Sequence, residues 1–77
     1  MLHARIQIDP RIMFGKPVIK GTRIPVELIL RKRTGGMTDE QIRAHHPQLQ
    51  GEDICAAVTF AADLLTNEEI VLAARST

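Results

Sequence analysis

The sequence predicts a mainly α fold: a short N-terminal β-arm or hairpin, then a three-helix bundle of helix-turn-helix-like (homeodomain-like) form, then a short C-terminal helix. Three observations carry this prediction. Polar and apolar residues alternate only in the first few positions; glycine and proline crowd the stretch from Gly15 to Pro25; and beyond it apolar residues return at helical spacing with capping signals between the runs. A chain of 77 residues encloses one core, so the expected organisation is a single domain, with the arm over 1–24, the bundle over 25–64 and the last helix over 65–77.

Arg5-Ile-Gln-Ile-Asp9 has the period of two of a half-buried strand, and Asp9-Pro10 supplies a turn. Ile12-Met13 is expected as a second extended piece before Phe14-Gly15-Lys16-Pro17, and Val18-Ile19 as another short strand closed by Gly21. Ile24 precedes a proline and should be extended. Pro25 suits the first turn of a helix, where its missing N–H has no partner to lose. In that helix Val26, Ile29 and Leu30 share a face, Arg31, Lys32 and Arg33 fill the last turn, and Gly35 suits a left-handed C-cap.

Thr38 and Gln41 have the spacing of a capping box, with Met37 and Ile42 as its apolar pair, so a second helix should run to about His45 before Pro47 stops it. Ile54, Ala57, Val58, Ala61 and Leu65 recur at helical spacing, with Glu52 and Asp53 at the end whose dipole favours anions. This third helix is expected to reach about Leu64 and, being apolar nearly all round, to be covered on all sides. Thr66-Asn67-Glu68-Glu69 reads as a second capping box, opening a fourth helix with Ile70 and Val71.

Composition excludes several function classes. Cys55 is the only cysteine, which rules out an internal disulfide and suits a reducing cytoplasm. Phe14 and Phe60 are the only aromatics, too few for a base-stacking platform. No apolar run approaches the roughly 18 residues that span a bilayer, so no membrane contact is expected. Charge is divided: residues 1–46 hold nine Lys/Arg against four acids, net +5, and the rest holds Arg75 against five acids, net −4. Such a division suits a protein that shows one end to a polyanion and the other to a second partner.

No catalytic constellation emerges. Lys16 and Lys20 lie between glycines without a phosphate-loop frame, and Pro17 removes an N–H where a cradle needs one. The histidines have no i, i+4 partner, and Ser76 and Thr77 have no base, so neither an enzyme activity nor a metal or other cofactor is expected. Cys55 is expected to be buried and inert. The three helices have the lengths of a DNA-binding scaffold, yet the third begins with acids and residues 44–74 contain no Lys or Arg. DNA contact is therefore assigned to Lys16, Lys20, Arg23, Arg31, Lys32, Arg33, Gln41 and Arg43. Arg31 to Arg33 also complement the helix dipole, and Arg23 is placed to pair with Glu27.

The run Gly15-Lys-Pro-Val-Ile-Lys-Gly-Thr-Arg-Ile-Pro-Val26, followed by Gly36-Met-Thr38, Ile42, Pro47-x-Leu49, Glu52-Asp-Ile54 and Ala56-Ala57, resembles the widespread bacterial domain-of-unknown-function family 433. The resemblance implies a homeodomain-like helical fold behind a β-arm. Many members are encoded beside a PIN-like ribonuclease, which implies the antitoxin role in a type II toxin–antitoxin pair. Three positions depart from the pattern: Phe14 stands where a second glycine is usual, Gln50 where Thr or Ser precedes the third helix, and His46 where an aromatic is frequent.

The expectation is therefore a cytoplasmic antitoxin-like homodimer that binds and neutralises a PIN-like nuclease and binds double-stranded DNA of its own promoter. Ala56, Phe60, Ile70 and Val71 are the expected oligomer or partner contacts. The alternative is a homo-oligomeric interaction module with neither toxin nor specific DNA site.

Overall fold

The computed structural model describes the backbone of residues 3–76 and the side chains of residues 3–66. It is mainly helical with a two-stranded antiparallel arm at the N-terminus, as the sequence predicts. Strand β1 (Ile6–Gln7) pairs with β2 (Val18–Ile19) in the register Ile6 to Ile19 and Gln7 to Val18. The hairpin is tied off by Thr22, whose hydroxyl donates to the Ile19 carbonyl (2.7 Å) and accepts from the Ile24 N–H (3.0 Å).

Between the strands the chain does not stay extended. Ile12 is extended, but Met13, Phe14 and Gly15 have φ of 50°, 59° and 83°, forming one left-handed turn closed by the Lys16 N–H on the Met13 carbonyl (3.1 Å). The second extended piece expected at Ile12-Met13 thus ends at Ile12. Two adjacent apolar residues do not place the turn, because a turn is set by its closing hydrogen bonds and not by apolar character.

Helix α1 (Val26–Thr34) begins one residue later than expected, with Pro25 outside it as the N-cap. At its other end Gly35 has an ordinary φ of −77° and the left-handed residue is Gly36, at 98°. The Gly36 N–H reaches the Arg33 carbonyl and the Met37 N–H the Lys32 carbonyl, each at 3.1 Å. This is the paired bonding of a Schellman stop, in which only the residue after the cap must be left-handed. Helix α2 (Asp39–His45) opens on the expected capping box: the Gln41 N–H donates to Thr38 Oγ1 (3.1 Å) and the Thr38 N–H to Gln41 Oε1 (2.9 Å).

Helix α3 runs unbroken over Gly51–Ser76, so the expected stop near Leu64 and separate C-terminal helix are replaced by one rod of 26 residues, about 39 Å long at helical rise. Thr66 shows why. Its hydroxyl donates to the Ala62 carbonyl four residues back (2.7 Å), the bond of a residue inside a helix, so it does not cap a new one.

The core is formed by Ile19, Ile24, Val26, Ile29, Ile42, Leu49, Ile54 and Ala57, with Ile6, Leu28, Leu30, Met37 and Phe60 packed on its margin. All three helices and the arm therefore meet at the start of α3. Its far side does not: Cys55, Thr59 and Ala62 are exposed. The expected all-round burial of α3, and of Cys55 with it, is corrected. A small monomer has only enough mass to cover the Ile54–Ala57 stripe, and Cys55, Thr59 and Ala62, at i, i+4 and i+7, form a separate one.

Candidate functional site

The cations of the first half divide by what holds them. Glu27, in the first turn of α1, accepts from Lys16 Nζ (3.3 Å) and from Arg31 Nη2 one helical turn on (3.1 Å). These donors, Lys16 foremost, hold its carboxyl below the usual glutamate range. Arg23, expected as the partner of Glu27, is displaced by these two; it shares with Glu27 and Arg31 the rim of a shallow hollow of about 460 Å³ floored by Met13, Pro25 and Leu28. Among the described residues Lys20, Arg23 and Arg43 make no side-chain ion pair.

The end of α1 faces α2. Lys32 Nζ lies 3.3 Å from His45 Nδ1, and Arg33 Nε lies 3.7 Å from Asp39 Oδ1. His46 turns inward instead, where its Nε2 is buried without a hydrogen-bond partner. Burial first, then the charge of Lys32 and His45, lowers its pKa. Gln41 spends its side-chain oxygen on the capping box. Lys16, Lys20, Arg23 and Arg31 thus gather around the β2–α1 junction, whereas Lys32, Arg33, Gln41 and Arg43 belong to the α1–α2 corner.

A third cluster was not visible from the sequence. Asp53, 6% exposed, accepts from the Gln50 N–H through Oδ2 (2.9 Å) and from Arg5 Nη1 through Oδ1 (2.9 Å). Arg5 also reaches Gln50 Oε1 (3.4 Å). The missing Thr or Ser before α3 is compensated from inside the helix, because a carboxylate three residues on can hold the N–H of the residue preceding it. The spacing from Gln50 to Asp53 was a legible signal for that bond. The tie to Arg5, 48 residues away, had none. The same tie joins the start of α3 to the residue just before β1.

Along α3, Ala56 is half-buried and Phe60 packs on the core margin, edge-on to the His3 ring at 5.1 Å. His3 Nε2 also meets Asp63 Oδ2 at 3.2 Å. The side chains of Ile70 and Val71 lie outside the described residues. Leu64 and Leu65 are exposed by 50% and 61%, and no helix among the described residues is long and apolar enough to cross a membrane.

A stretch of 29 residues is 59% identical to an uncharacterized protein of Archaeoglobus fulgidus, covering 38% of this chain and 81% of that protein. The fold is similar to the crystal structure of a DUF433 member protein from Anabaena variabilis, with a TM-score of 0.77 and 33% identity over 95% of this chain and 72% of that one. Residues 6–61, most of the chain and all of the arm and the bundle core, match the family described as Protein of unknown function (DUF433), and the chain belongs to that family.

Proposed function

We propose that the protein is an antitoxin-like binding component, contacting duplex DNA of its own promoter through the β2–α1 junction and a nuclease partner through the acidic, apolar extension of α3. The observation that carries this reading is the separation of the two surfaces. Lys20 and Arg23 flank the Gly21 turn and make no side-chain ion pair among the described residues, while Leu64 and Leu65 stand exposed where the chain carries net negative charge. The first surface has the chemistry for phosphate and the second for a basic, partly apolar cleft. Cytoplasmic residence and the absence of catalysis belong to the same reading.

Two measurements test it. Co-expression with the nuclease encoded beside it is expected to yield a stable complex and relieve growth arrest; a nuclease that stays free and toxic rejects the antitoxin role. Replacing Lys20 and Arg23 with Ala is expected to weaken promoter binding and flatten its salt dependence by about one unit per lost phosphate contact. An unchanged slope removes DNA contact from this junction.

A second reading, a homo-oligomeric module without toxin or operator, is favoured by one feature. Phe14 is 97% exposed on a structured turn, and a promoter contact makes no use of it.

A further inference from the structure

We propose that the chain self-associates by seating the Met13–Gly15 turn and the hollow beside it on the exposed, acidic-apolar stretch of α3 around Leu64 and Leu65 in a second copy. This rests on the self-association reading and gives it a contact.

The turn is the first observation. Met13 and Phe14 are both held at positive φ, a conformation that disfavours any residue with a Cβ. They are held there by the Ile12 N–H on Asp9 O (2.8 Å), by the Arg11 N–H on Asp9 Oδ1 (2.9 Å), and by the Gly15 and Lys16 amides on the carbonyls of Ile12 and Met13. The Lys16–Glu27 pair and the Val26 N–H on the Pro17 carbonyl (2.9 Å) fasten the turn to α1. All this ordering presents Phe14 to solvent, where it contributes almost nothing to the chain's own core. A rigid aromatic projecting from an over-determined, strained turn has the properties of a binding anchor, because its ordering is complete before the partner arrives.

The chemistry of the occupant is the second observation. Met13, Pro25 and Leu28 line an apolar hollow with Arg23, Arg31 and the acid Glu27, and Lys16 pairs with that Glu27. An apolar segment bearing negative charge fits. This chain carries one: Leu64 and Leu65 are half or more exposed on α3, beside Asp63 and ahead of Glu68 and Glu69 in sequence. Past Ala57, the last buried core residue among the described ones, α3 continues for about 28 Å, enough to lie across a neighbour. Turn-to-helix contact between two copies closes on a two-fold axis as two equivalent contacts. Lys16 and Arg23 belong also to the proposed DNA surface, and Leu64 and Leu65 to the proposed nuclease surface, so duplex DNA and the nuclease each compete with the second copy.

The test is sedimentation equilibrium on the full chain, without DNA, for wild type, Phe14→Gly and Leu65→Asp, and for an equimolar mixture of the two variants. Both positions are exposed, and denaturation of dilute Phe14→Gly is expected to show a fold at least as stable as wild type. Each variant is expected to raise the dimer dissociation constant about tenfold or more. The mixture should associate more tightly than either variant alone. Phe14 and Leu65 meet across one contact, so their losses overlap there and the other contact is left intact. Dimers unaffected by Phe14→Gly would overturn the contact while leaving self-association standing through the Ala56–Phe60 face. A mixture no tighter than its components would overturn the second copy's α3 as the occupant. A wild-type monomer at every concentration would reject both.

Discussion

At the scale of single residues, Phe14 and His46 stand in environments that disagree with ordinary folding preference, whereas Glu27, in the first turn of α1 between two cations, stands in a favoured one. A left-handed backbone costs a residue with a Cβ roughly 1–2 kcal/mol. Phe14→Gly removes that strain but adds about 0.4–1 kcal/mol of unfolded-state entropy, so thermal denaturation of the dilute protein should show a gain of about 0.5 kcal/mol. His46 has its pKa lowered by burial and by Lys32 and His45, so the fold favours its neutral form. The unfolded chain takes up the proton first. Stability is therefore complete above about pH 6.5 and falls as pH drops through the lower folded value. Urea titrations over this range should show the loss, and His46→Gln should flatten it. Glu27 is opposite in sign to its surroundings and neutralises Lys16 and Arg31. Glu27→Gln should tighten promoter binding and steepen its salt dependence; weaker binding would take Lys16 and Arg31 out of the phosphate surface.

At the scale of elements, local signals did much of the work, and each failure has a local cause. Thr38 and Gln41 make the capping box their spacing announces, because both bonds lie within one turn and need nothing from outside. Thr66-Asn67-Glu68-Glu69 has similar spacing, yet Thr66 bonds back to Ala62 and the helix passes through it. A capping box offers an alternative to helical continuation, and with no glycine or proline nearby continuation prevails. The left-handed glycine after α1 was misplaced by one residue because two glycines stand together and only the closing carbonyls decide which turns left-handed. The start of α3 is held by Asp53, whose carboxylate serves both the Gln50 N–H and Arg5. Asp53→Ala should cost about 1–3 kcal/mol, since it leaves a helix-end N–H and an arginine without their acceptor. Arg5→Ala should cost less, and the double variant should fall short of the sum, which a thermodynamic cycle checks.

For the whole molecule, β-arm and helices converge on a core of eight buried residues, and Ile19, Ile29, Ile42 and Ile54 are among the largest side chains fully enclosed. A core of this size leaves only about 3–5 kcal/mol of net stability, and Ile→Ala at a buried site costs about 2–5 kcal/mol. Ile54→Ala should therefore abolish cooperative unfolding, whereas Leu65→Ala, on the exposed stretch of α3, should leave it intact; calorimetry distinguishes them. The sequence by itself determined the mainly helical class, the arm, the Gly15–Val26 turns, the membership of family and the division of charge, because these depend on composition and on neighbours a few residues apart. Tertiary structure decided what lay across long separations: Arg5 meeting Asp53, Lys16 and not Arg23 holding Glu27, and the stripe of α3 that the core covers. Periodicity shows that a helix has apolar faces, but which face is buried depends on the mass packed against it, and among the described residues the core reaches along α3 as far as Phe60.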